Sequence, residues 1–238
     1  MVRLNAFMAR CGVGSRRASD TMIEEGRVVV NGTRTTELGT KIDPLRDRVA
    51  VDGEPLKPEK PVYVLLNKPS GVVCTNSSRE HKTRAIDLVQ SVRARIFPVG
   101  RLDADSEGLL LLTNDGLFSE RLMHPRYGVP KTYAVTLRGR IESDQLSKAR
   151  GGVWLSEGKT RGFRIRLKRR GRERSYLEVT TSEGRNREIR RVFAKTGHPV
   201  VRLKRVRIGF LTLRGLGRGR YRLLRRSEIE GLVSPGGA

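Results

Sequence analysis

Two cysteines, three histidines, one tryptophan and an aromatic share of 5% are all that this 238-residue chain holds of the residue types most often used for redox, metal and stacking chemistry. Cys11 and Cys74 stand too far apart for zinc-ligand spacing, and two cysteines make no disulfide framework. Both thiols therefore read as plain core residues of a protein in a reducing cytoplasm. His81, His124 and His198 show no spacing that suits a metal site or a Ser-His-Asp triad. Neither a GxxxxGK[ST] loop nor a GxGxxG turn after a strand occurs, so bound nucleotide cofactors are not indicated. No apolar run approaches the ~20 residues of a spanning helix, and Arg3 and Asn5 interrupt any leader-like apolar stretch at the N-terminus. Acidic residues are also scarce, 25 against 49 Lys and Arg.

That last imbalance leaves a formal charge of +24 and points to a polyanion, with nucleic acid as the natural partner. Between Arg185 and Arg226 lie fifteen basic residues and one acid, Glu188. The block is threaded by apolar periodicity: Ile189, Val192 and Phe193 at helical spacing, then Val200, Val201, Leu203, Val206 and Ile208 in strand-like order. It reads as a folded basic face rather than a disordered tail.

Along the chain, Leu4, Phe7, Met8 and Cys11 mark one face of a short helix stopped by Gly12 and Gly14. Ser15 is a plausible N-cap for a second helix through Glu25, with Ala18, Met22 and Ile23 inward. VVVNG (28–32) and VAVDG (49–53) are strands ending in tight-turn pairs. Arginines 3, 10, 16, 17 and 27 decorate this first segment, and EPLKPEKP closes it as a semi-rigid linker. The segment resembles an S4 domain, a small RNA-binding module, which implies RNA contacts by Arg3, Arg10, Arg16, Arg17 and Arg27. Residues 1–58 are expected to form this domain and its linker, and 59–238 a second domain.

The second segment reads as strands VYVLL and IFPVG, a helix about residues 83–91, a helix at 117–123 and a half-buried strand KTYAVTL (131–137). Trp154, 163–167 and 176–179 are expected to extend the sheet, with Trp154 in the core or on the sheet surface and RLKRRGRER (166–174) as a hairpin loop. Mixed, mainly antiparallel α+β is the economical architecture.

Carboxylates are tied to a buried element in one place, GRLDADSEGLLLLTNDG (100–116), where Asp103, Asp105 and Glu107 precede four leucines that read as a short buried strand. An EF-hand alignment fails because Asn114 stands where a bidentate Glu is required. Magnesium held by Asp103 and Asp105 with substrate phosphates stays open, as does simple turn capping. Asp105 and Glu107 read as loop-structuring or solvent-facing, Tyr133 taken alone as a sheet residue, and Arg190 as one phosphate contact among many.

GRLDADSEGLLLLTNDG, with LNKPSG (66–71), KTYAV (131–135) and EGRNREIRR (183–191), resembles the RsuA/RluB-type ribosomal RNA pseudouridine synthases, and with the S4-like segment the resemblance spans nearly the whole chain. It implies a pseudouridine-synthase catalytic domain, an isomerase converting uridine in ribosomal RNA to pseudouridine by base flipping, and no metal or organic cofactor. Asp103 would be the essential aspartate, Tyr133 the tyrosine of the following strand and Arg190 the basic partner of the aspartate. Arg101 would help displace the target base and Lys68 would support the site. Arg185 and Arg187 are assigned to RNA. GRNREIRR is similar to the branch acting on the large subunit (23S), which makes large-subunit precursor RNA the expected partner of a cytoplasmic monomer. A non-catalytic S4-type assembly factor and a magnesium-dependent enzyme acting on RNA phosphates are the rival readings.

Overall fold

A computed structural model describes residues 1–77 and 80–234, which fold as two compact units, the first chiefly Met1–Val62 and the second chiefly Tyr63 onward.

In the first unit, β1 (Val2–Arg3) leads into α1 (Leu4–Arg10), whose Leu4, Phe7 and Met8 are buried as their spacing predicts. The Ser15 hydroxyl accepts from the Ala18 amide and starts α2 (Arg16–Glu24), which buries Ser19 and Ile23. Strands β2 (Val28–Val30) and β3 (Thr33–Thr35) form one hairpin; β4 (Lys41–Ile42) pairs with β1; β5 (Val49–Val51) and β6 (Glu54–Pro55) form another hairpin. The turns Asn31-Gly32 and Asp52-Gly53 have all four residues at positive φ, the requirement of the two-residue turn that matches strand twist. Val28, Val49 and Val51 close the core over both helices.

The second unit is built on a nine-stranded sheet. Its strands in chain order are β7 (Tyr63–Lys68), β8 (Phe97–Val99), β9 (Glu107–Thr113), β10 (Lys131–Arg138), β13 (Arg164–Arg170), β14 (Arg174–Thr181), β15 (Val200–Ile208), β16 (Leu211–Thr212) and β17 (Tyr221–Leu223). The spatial order is β13-β14-β10-β15-β9-β7-β17, with β16 on β15 and β8 on β9. All neighbours are antiparallel except β15 and β9. Every residue of β9 is buried: β7 lies along one edge, β15 then β8 along the other, and the side chains are covered on both faces, so the apolar run needs no alternation. Helices α3 (Gly116–Met123), α4 (Ser143–Gly151), α5 (Glu188–Lys195) and α6 (Arg226–Val233) complete the unit. Its core includes an apolar cluster with Phe163, Phe193 and Leu203 and another with Leu65, Leu109 and Phe118.

Four expectations are corrected. The helix about 83–91 is only one 3₁₀ turn, Ala85–Leu88, because Val73 exchanges backbone bonds with Thr83 and Ala85 and holds the would-be first turn extended. RLKRRGRER is not a hairpin loop: β13 runs through Arg170 and β14 starts at Arg174, on a sheet edge where arginines stay solvated and Arg169 lies over the Tyr176 ring. Trp154 belongs neither to the core nor to the main sheet; it is 67% exposed in a separate hairpin of β11 (Trp154–Leu155) and β12 (Gly158–Lys159). In β15, Val201 is exposed and Arg205 is buried, since alternation from Leu203 carries 205 inward.

Candidate active site

The segment between β8 and β9 is pinned from several sides. Leu102 is buried, its amide lies 3.4 Å from the Cys74 sulfur, the Ala104 carbonyl accepts from the Gly71 amide, and the Ser106 amide closes a turn on the Asp103 carbonyl. Lys68 is fully buried, and its ammonium donates to the Pro69 and Val72 carbonyls at 3.0 and 2.6 Å. It thus braces the 69–72 turn that holds Ala104. Burial lowers the Lys68 pKa, with Cys74 and the carboxylates of Asp105, Asp103 and Glu107 pulling the other way.

Two arginines of the α5 region face this loop. Arg187, at the N-cap with φ of 47°, sets Nη1 at 3.2 Å from Asp103 and Nη2 at 3.4 Å from Asp105. Arg190 is more deeply buried, with Nε 3.8 Å from Asp103, Nη2 3.2 Å from Asp105, and further bonds to the Ser106 hydroxyl and the Val200 carbonyl. Sequence reading put Arg190 alone beside Asp103 and gave Arg187 to RNA; the structure brings both, and Arg187 is the nearer. Both guanidiniums thus reach both carboxylates. Among the described residues no group of three or more His, Cys, Asp or Glu is arranged to hold a metal.

Asp103 opens on a cavity of about 340 Å³, within the range of ~300–1,000 Å³ usual for small-molecule sites. Tyr133, half-buried on β10, and Arg101, exposed at the loop, also line it. Arg185 borders the cavity, but its guanidinium donates to the Gly158 and Lys159 carbonyls and pairs with Glu183 at 3.3 Å. Glu107 does not face solvent as expected: it is buried at the start of β9 and paired with Arg202. In the first unit Arg3, Arg10, Arg16, Arg17 and Arg27 are all exposed, and Arg27 also pairs with Asp52 and Glu25.

Four cavity residues escaped the sequence reading. Lys131 and Arg205 are buried cations; Glu183 and Glu188 are an acidic pair. A signal existed for Lys131, since it stands two residues before Tyr133 and alternation puts both on one face. The Lys131 pKa is lowered to about 8, first by burial and then by the charge of Arg205. Glu188 is pushed from an ordinary 4.5 to about 8 by burial, then by the hydrogen bond and charge of Glu183, against the pull of Arg185 and Arg191. Its folded-state pKa exceeds the unfolded one, so the folded protein binds more protons between the two values. This contribution to stability is complete below about 4.5 and is lost as pH rises towards 8. Glu188→Gln should remove that slope, and melting curves of both proteins between pH 5 and 9 should converge at the acid end and separate, with the variant higher, at the alkaline end. A constant difference across the series would refute the raised Glu188 pKa.

The profile of the family described as RNA pseudouridylate synthase matches residues 62–195, and that of the S4 domain matches residues 2–44. The chain is 42% identical over 98% of its length, and 96% of the relative's, to the ribosomal large subunit pseudouridine synthase B of Bacillus subtilis. It is 39% identical to the protein of the same description from Pseudomonas aeruginosa, covering 96% of this chain and 61% of that one. A solved pseudouridylate synthase superposes with a TM-score of 0.70 at 31% identity, covering 98% of this chain and all of that one. Mixed sheet, pinned aspartate and basic cavity are thus the frame of an RNA-modifying isomerase. The chain belongs to the RNA pseudouridylate synthase family, in the form that carries an N-terminal S4 domain.

Proposed function

We propose that this enzyme isomerises specific uridines of large-subunit (23S) ribosomal RNA, acting as a cytoplasmic monomer on a precursor of that subunit, with Asp103 as the catalytic carboxylate. The observation that carries the reading is Asp103 fixed by Arg187 and Arg190 at the wall of a nucleoside-sized cavity that Tyr133 also lines. The relatives described as acting on the large ribosomal subunit support the choice of RNA.

Detaching uracil at N1, turning it and rejoining it through C5 requires an everted base and an ionised carboxylate. Base extrusion costs a few kcal/mol, least in an unpaired loop. Arg101, exposed at the cavity, is suited to occupy the space the base leaves, and the remaining arginines to bind phosphates. The paired guanidiniums of Arg187 and Arg190 hold the Asp103 carboxylate by charge-assisted contacts and fix its direction. Lys68 acts at one remove, by bracing the turn behind the loop. In this reading residues 1–58 contribute docking through Arg3, Arg10, Arg16, Arg17 and Arg27, and residues 59–238 contribute the chemistry without metal or organic cofactor.

Two measurements test it. Tritium released from RNA labelled at uridine C5 should appear in EDTA, and pseudouridine maps of ribosomal RNA from cells with and without the gene should differ at the target site. No tritium release on any ribosomal RNA fragment would leave only a binding role. Tyr133→Phe should keep the aromatic face for stacking yet slow product formation by about a hundredfold if the hydroxyl moves the C5 proton. Tyr133→Leu should in addition weaken RNA binding, by the ~1–3 kcal/mol of a base–aromatic stack. Full activity of the Phe variant would show that the hydroxyl is dispensable.

A further inference from the structure

Arg205 is the largest fully buried side chain of the described residues, 2% exposed. Its Nε donates to the Leu109 carbonyl at 2.7 Å, while its Nη2 has no hydrogen-bond partner among the described residues. Lys131, 6% exposed, donates among the described residues only to the Leu122 carbonyl. Both border the same cavity as Asp103, and neither has a carboxylate within ion-pair reach among the described residues. The carboxylates of that cavity are engaged elsewhere: Asp103 with Arg187 and Arg190, Glu183 with Arg161 and Arg185, and Glu188 with Glu183. A buried guanidinium with an open donor is costly unless an acceptor arrives.

Register says where that acceptor would sit. Tyr133 on β10 lies directly across from Arg205 on β15, and Lys131 shares the face of Tyr133. A ring stacked on Tyr133 would share one cavity with both cations and with Asp103. We propose that Arg205, with Lys131 beside it, receives a carbonyl oxygen of the everted uracil and stabilises the negative charge that collects there. The inference rests on the reading of this site as a uridine isomerase. When the N1–C1′ bond breaks with its electron pair left on the base, the charge spreads over N1, O2 and O4. The base turns, C5–C1′ forms, the C5 proton leaves and N1 gains a proton, so the sum is an isomerisation with no oxidant or reductant. Donors fixed before the reaction act on that charge without reorganising, which is where such groups contribute most.

The test pairs residue with substrate atom. A ribosomal RNA fragment is prepared with uridine, 2-thiouridine or 4-thiouridine at the target position, and single-turnover rates are measured at saturating enzyme. Sulfur is the weaker acceptor, so the wild-type enzyme should slow by about tenfold on one of the two thio substrates, the loss expected for one hydrogen bond. Arg205→Met should slow the uridine reaction by about 10²–10³-fold, the usual effect of removing such a donor, with RNA affinity little changed. It should also lose the thio effect, since the contact being weakened is already gone. Arg205→Lys, which keeps the charge, should regain part of the rate. Persistence of the full thio effect in Arg205→Met would assign Arg205 a merely structural role and overturn the proposal. Should Arg205→Met fail to fold, Lys131→Met and the wild-type comparison decide, because a wild-type enzyme indifferent to both sulfur positions overturns it without any variant. Conversion of uridine with such indifference removes this inference alone; failure to convert uridine at all removes the proposed function and this inference together.

Discussion

Asp103→Asn should abolish isomerisation, by at least about a thousandfold or ~4 kcal/mol of transition-state stabilisation, and leave RNA affinity and folding nearly intact. The amide keeps the shape and loses the charge. Asp103 is 28% exposed and its nearer partner Arg187 is 43% exposed, so the lost ion pair should cost the fold no more than about 1 kcal/mol. Asp105→Asn is the matched control: it touches the same two guanidiniums but is 53% exposed, and a tenfold loss or less is expected. Single-turnover rates and filter binding on one RNA fragment measure both. Residual turnover of Asp103→Asn within tenfold of wild type would remove it from the chemistry, and equal damage from both substitutions with rescue by magnesium would favour metal-assisted hydrolysis.

Gly108→Ala should be among the most damaging small substitutions in the second unit. Gly108 has φ of +107°, and a Cβ there would lie 2.2 Å from the Arg205 carbonyl oxygen, in backbone that cannot step aside without parting β15 from β9. Strain of ~1–3 kcal/mol plus a displaced strand gives an expected loss of about 3–5 kcal/mol, or a melting temperature lower by about 10 °C or more. Activity should fall further than stability, since the strand that moves carries Arg205 and abuts the Asp103 loop. Gly71→Ala, with φ of +89° and open space around the new methyl, isolates the strain alone and should cost about 1 kcal/mol. Equal effects of the two substitutions, read by thermal or urea unfolding, would disprove the close approach.

Much of this was readable from residues wherever a local rule decides. The i, i+3, i+4 pattern of Leu4, Phe7 and Met8, the Ser15 cap, the Asn-Gly and Asp-Gly turns and the apolar run of β9 each answer to neighbours a few positions away. The meeting of Asp103 with Arg187 and Arg190 joins residues more than 80 positions apart, and no periodicity encodes it; only the resemblance of GRLD and REIR to a known family suggested one of the two arginines. Arg205 was hidden for a different reason. In a chain with 49 basic residues a further arginine reads as solvent-facing, and the alternation that turns it inward is visible only once Leu203 is known to be inside. Strand β13 shows the converse error, in which a run of arginines looked like a loop although backbone pairing, and not side-chain polarity, makes an edge strand.

The placement of β9 has a consequence for how motion is shared out. Its amides and carbonyls are bonded to β7 on one side and to β15 and β8 on the other, and its side chains are covered on both faces. Protons on such amides exchange with solvent only when the whole unit opens, so β9 belongs to the last part of the protein to come apart. The Asp103 carboxylate stands in the pinned segment that leads into that slowest element, while the bases of an unpaired RNA loop rearrange far more readily. On the proposed role of Asp103, conformational adjustment on encounter falls on the nucleic acid: the reacting nucleotide travels to a carboxylate that stays where folding left it.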